Sequence, residues 1–221
     1  MEPKSPEIST SSNITLLKDR ITEISEFARE ITVKADNIGA SKWQEMLTQT
    51  KSDGKERRLN VFYNLLTKKF TPGNTVVGTA EGFKTGADVP IEVSDIGLKG
   101  MFHHQVADVH THPLTEEDAH LKTTVPSGND LRTFLSSAYS AMVAIDRGGA
   151  HLLIKSREIA EGKLPPADLV QKKIEEIAKK GGVVTDVQKH LNRMFSQYGV
   201  SYFYSENLTP LEDGTITFKK T

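Results

Sequence analysis

Two histidines separated by one residue, His110 and His112, stand in the segment Asp108-Val109-His110-Thr111-His112-Pro113. On an extended strand, side chains two apart point to the same face, so the two imidazoles lie side by side. Two imidazoles so placed suit one zinc ion. A catalytic zinc needs a third protein ligand and one open position for water. Downstream, 126–131 reads Pro-Ser-Gly-Asn-Asp-Leu and offers Asp130. Ser127 and Asp130 also have the spacing of a helix capping box, which requires no metal, and both roles fit one helix start. The chemistry of such a centre is hydrolysis. Zinc lowers the pKa of its water towards about 7, a carboxylate takes the proton, and hydroxide attacks a carbonyl.

The elements that would carry these residues follow from periodicity. Residues 105–110 (Gln-Val-Ala-Asp-Val-His) alternate as a short strand, and a helix is expected from Ser127. Further strands are expected at 75–83 and 91–96, and 141–145 and 151–154 flank Asp146-Arg147-Gly148-Gly149 as a hairpin. Helices are expected at 169–178 and 187–195, and strands at 201–204 and 215–218. Before residue 70 the apolar spacing is helical: one long helix over 14–31, a shorter one over 41–48, and a third from Asp53 with Leu59, Phe62, Tyr63 and Leu66 on one face. The third stops before Thr71-Pro72-Gly73-Asn74. Three parts are therefore expected: a tail over 1–12, a helical region over 13–70 and a mixed domain over 71–221. Strands joined by hairpins and followed by helices favour an α+β layered architecture over a doubly wound sheet.

Composition narrows the function. The formal net charge is −1, from 28 basic and 29 acidic residues, so no overall basic excess points to nucleic acid. There is no cysteine, which excludes a disulfide framework, a thiolate zinc site and a thiol nucleophile. No apolar run approaches the roughly 18 residues that span a bilayer. The polar start, residues 1–13, has no apolar h-region. A cytoplasmic protein is expected, or one secreted as an effector by a route without a Sec signal.

His-x-His-Pro followed by Ser-x-x-Asp opening a helix, with a Glu on an earlier strand, resembles the JAMM (MPN-plus) metallo-isopeptidase family. The resemblance covers about residues 75–154. It implies a cytidine-deaminase-like, MPN-type mixed sheet flanked by helices. It makes His110, His112 and Asp130 the zinc ligands and gives Ser127 a place at the oxyanion. It also asks for a Glu as general base. Glu81, in Thr79-Ala80-Glu81-Gly82-Phe83, fits the order of elements, and Glu92, in Pro90-Ile91-Glu92-Val93, is the alternative. The implied substrate is an amide bond in a ubiquitin-like conjugate or a peptide. Some family members are toxin or effector domains. One departure is the longer stretch between the second histidine and the aspartate. Residues 114–125 include Glu116, Glu117, Asp118 and His120, and Asp118 is an alternative ligand. This insertion is expected as a loop beside the metal.

Two other readings stand beside this one. A binding module would carry a structural metal or none. Asp-x-His-x-His also opens amidohydrolase and PHP-type barrels, but those take roughly 200 residues or more. Only 109 residues follow His112 (221 less 112). His103 and His104 are expected in a loop, and Trp43 in helix packing.

Overall fold

The computed structural model describes residues 28–78, 103–113, 125–155, 165–166, 168–179 and 184–220. Its strands are β1 (Glu30–Lys34), β2 (Arg57–Asn64), β3 (Lys69–Pro72), β4 (Val76–Val77), β5 (His103–Thr111), β6 (Ala141–Ile145), β7 (Ala150–Lys155), β8 (Val200–Ser205) and β9 (Thr215–Lys219). The α-helices are α1 (Trp43–Asp53), α2 (Gly128–Ser136), α3 (Leu169–Lys179) and α4 (Val184–Ser196). The strands form one mixed sheet in the order β1-β9-β8-β7-β6-β5-β2-β3, with β4 also on β2. The architecture is thus α+β, as expected.

Only β5 and β6 pair in parallel among the described strands. Parallel neighbours need a crossover, here the chain through α2. A crossover helix runs back against its strands, so it begins near the end where β5 stops. That connectivity brings residues 110–112 and residue 130 together. It also separates the sheet from the all-parallel barrel of the amidohydrolase reading.

Each face of the sheet is covered. On one side Trp43 and Met46 of α1 pack with Leu59, Val61, Val109, Val143, Ile145 and Phe203. On the other, Leu131 and Phe134 of α2, Val170 and Ile177 of α3, and Val187, Leu191 and Phe195 of α4 pack on Met142, Leu153 and Tyr202. β5 alternates between them: Val109 enters the α1 side, so Asp108 and His110 face the α2–α4 side. Trp43 is packing, as expected, and its Nε1 donates to the Ile38 carbonyl at 3.3 Å.

Several expectations before residue 70 need correction. The helix expected from Asp53 is α1 ending there, followed by strand β2. Gly54, at φ 70°, caps α1 and turns the chain. Residues 57–64 then alternate in burial with a period near two. Their aromatic and β-branched side chains satisfy a strand as well as a helix, and pairing with β5 decides it. The expected helix over 14–31 ends too late, since Ile31 and Val33 lie in β1, paired with β9. Its residues 14–27 lie outside the described ones, as do 1–12. The boundary drawn at residue 70 falls inside β3, whose partner β2 belongs to the same sheet. His103 and His104 open β5 rather than lying in a loop. Of the strand expected at 75–83, β4 is the described part, and 91–96 lies outside.

Candidate metal centre

His110 and His112 come from the end of β5 and the residue after it, and are 4% and 9% exposed. A backbone bond from His112 N to the Ile145 carbonyl, 2.9 Å, holds that end against β6. Asp130 occupies the third position of α2. Its Oδ2 accepts from Ser127 N at 2.6 Å, and Ser127 Oγ accepts from Asp130 N at 3.1 Å. The capping box expected at this spacing is therefore present, and it aims the Asp130 carboxylate at the histidines.

The donor atoms converge. His110 Nε2 and His112 Nε2 are 3.0 Å apart. His110 Nε2 lies 3.5 Å from Asp130 Oδ1, and His112 Nε2 lies 3.2 Å from Asp130 Oδ2. Ligands about 2.0–2.1 Å from a tetrahedral ion stand about 3.3 Å from one another. The histidine nitrogens stand close to that edge and each meets one Asp130 oxygen, so this group could hold a metal ion. Two nitrogen lone pairs and a carboxylate meeting in a buried place otherwise require a proton.

The electrostatics say the same. Burial alone would depress the His110 pKa, but hydrogen bonds to Asp108 and Asp130 outweigh it and push it up to about 10. His112 is also raised, with Asp130 overcoming burial. For Asp130, burial opposes ionisation, yet the two histidines hold its carboxyl well below the usual range. All three shifts report a site that demands positive charge.

Two further polar groups border it. Asp108, fully buried, lies 2.9 Å through Oδ1 from His110 Nδ1 and forms an ion pair with Arg58 through Oδ2. Glu56 immediately precedes β2. Arg58 pairs with His110 across the β2–β5 ladder, so Glu56, two residues earlier, comes opposite His112 on the same face. Arg57 fixes that entry: its guanidinium grips both Asp53 oxygens at 2.8 Å, and its backbone N–H donates to Thr111 Oγ1 at 2.9 Å. Burial raises the Glu56 pKa, while His112 and His110 pull it down, so the carboxylate and the imidazoles sense each other. Glu56 stands outside the three-residue donor group.

Of the residues singled out in the sequence, the structure brings together His110, His112, Ser127 and Asp130. Glu81, Glu92, Asp118, His120 and nearly all of the 114–125 insertion lie outside the described residues. Glu56, Arg58 and the contact of Asp108 with His110 were missed. The available signal was the period-two alternation through Leu59, Val61 and Tyr63, which makes 57–64 a strand and places Glu56 at its mouth. Comparison of the sequence with models of known protein families and with curated proteins found no match.

Proposed function

We propose that this chain is a zinc-dependent amide hydrolase of the JAMM type on an MPN-type fold. The observation that carries the reading is the convergence of His110, His112 and Asp130 into one group that could hold a metal ion. The donor set fits zinc: two imidazoles and one carboxylate, with no thiolate, leave a fourth position free. When bound, zinc supplies Lewis-acid activation of water at neutral pH and polarisation of a carbonyl.

The chain's own residues would do the rest. Glu56, facing the imidazoles without joining the donors, is placed to accept the proton from the attacking water, and its raised pKa brings it closer to the working pH of a general base. Ser127 Oγ accepts from the Asp130 N–H, which leaves its own O–H to donate to a carbonyl oxygen gaining negative charge. The resemblance asks for a Glu on an earlier strand, then His-x-His, then Ser-x-x-Asp at a helix start; Glu56, immediately before β2, takes the place expected of Glu81. The substrate we propose is a protein or peptide amide, in keeping with a ubiquitin-like conjugate. No described helix is long and apolar enough to cross a membrane.

The test is zinc stoichiometry combined with a substrate screen. The purified chain is expected to hold one zinc per molecule and to cleave a member of a panel of ubiquitin-like conjugates and peptides, reversibly inhibited by chelator. His112→Ala is expected to lose both. Absence of zinc after equilibration would overturn the reading in favour of a binding module.

A further inference from the structure

We propose that Asp108, held by Arg58, is a positioning residue that fixes His110 in the form that ligates through Nε2. The inference rests on the zinc reading above and adds to it a residue that is not itself a ligand. A neutral imidazole has two tautomers, and only the nitrogen without a proton can bind a metal. An ionised carboxylate can only accept hydrogen bonds. Asp108 Oδ1, 2.9 Å from His110 Nδ1, therefore keeps the proton on Nδ1. Nε2 is then the free donor, and it is the atom that faces His112 Nε2 at 3.0 Å.

Arg58 keeps Asp108 in that role. Asp108 is fully buried, and each of its carboxylate oxygens has a partner, Arg58 at Oδ2 and His110 at Oδ1. The β2–β5 register sets Arg58 opposite His110 and Asn60 opposite Asp108, so Arg58 reaches Asp108 diagonally on the same face. It meets Oδ2 through Nε, while Oδ1 goes to the histidine. Here the carboxylate is shared, one oxygen for each partner. Asp108 is also not a competing ligand, since it lies outside the converging donors.

The experiment uses the full chain with zinc alone as the probe. Competition against a chromophoric chelator is expected to give a zinc Kd about 10- to 100-fold weaker for Asp108→Asn than for wild type. The amide keeps the shape but can turn its NH2 towards Nδ1 and favour the wrong tautomer. In parallel, two-bond proton–nitrogen correlation spectra of the zinc-loaded wild type are expected to show His110 protonated at Nδ1 and metal-bound at Nε2. Zinc bound at Nδ1 overturns the proposal, as does an Asp108→Asn affinity within twofold of wild type. If Asp108→Asn does not fold, the wild-type spectrum decides alone. If wild type takes no zinc, the zinc reading falls first and this inference with it. If it takes zinc and the variant binds equally well, only the positioning role falls.

Discussion

For the proposed zinc hydrolase, Glu56→Gln is expected to separate the binding of metal from the chemistry it would serve. The change removes a carboxylate that faces the imidazoles but leaves His110, His112 and Asp130, with their separations of 3.0, 3.2 and 3.5 Å, intact. Zinc affinity is therefore expected to stay within about twofold, far less than the 10-fold or more that follows loss of a metal-orienting group. Turnover loses its proton acceptor, which general-base catalysis values at about 100- to 10,000-fold, or about 3–5 kcal/mol of barrier. Stability moves the other way. Burial raises the Glu56 pKa, so ionising it costs the metal-free fold free energy above its ordinary range. Metal-free Glu56→Gln is expected to melt at or above the wild-type temperature at pH 8, with the difference vanishing near pH 4. The assays are zinc content, kcat/KM on the substrate found by screening, and thermal melts in chelator. Full turnover in Glu56→Gln would refute the assignment, and loss of zinc would make Glu56 a ligand instead. Inactive, zinc-replete Glu81→Gln alongside active Glu56→Gln would restore Glu81 as the base.

Four other outcomes are expected. Zinc binding at pH 7.5 releases at least one proton, measured by calorimetry in buffers of different ionisation enthalpy, because His110, raised to about 10, is protonated in the metal-free protein. The same shift stabilises the metal-free fold fully below about pH 6.5, a contribution lost as pH rises through about 10, so chelated protein should become easier to denature over that window. Ser127→Ala removes a helix cap worth about 1 kcal/mol and lowers turnover about 100- to 1,000-fold at unchanged zinc content, whereas turnover near wild type would assign the serine to capping alone. Gly149→Ala sets a methyl group against the Ser205 carbonyl oxygen and the Tyr204 ring at a φ of 154°, for an expected loss of about 3 kcal/mol in denaturant titration. A loss under about 1 kcal/mol would mean the β6–β7 turn relaxes freely.

The candidate metal ligands were legible because their spacing is their geometry. An i, i+2 histidine pair needs only a strand, and β5 is one. A serine three residues before an aspartate needs only a helix start, and the cap is present. The C-terminal half was legible for the same reason, with apolar periods long enough to declare each element. The general-base candidate was not. Leu59, Phe62, Tyr63 and Leu66 satisfy helical spacing, and nothing local says that Leu59 and Val61 instead pack on α1 while Arg58 turns to Asp108. A strand whose identity depends on pairing with a segment nearly fifty residues away is decided by tertiary contact. Helical spacing over 59–66 carries no signal that Glu56 lies near a histidine, whereas Glu81 fits the order of elements that the resemblance asks for.

The parallel pairing of β5 with β6 also orders events in time. Antiparallel strands can zip from a tight turn, but β6 cannot dock in parallel beside β5 until the chain between them has looped back through α2. Only then does Asp130 arrive beside histidines that a hairpin alone could never supply with a third ligand. An ion held there would clasp the two ends of the crossover together after it has closed. It would act on the rate of opening more than on the rate of closing, and so lengthen the lifetime of the folded state more than it hastens folding.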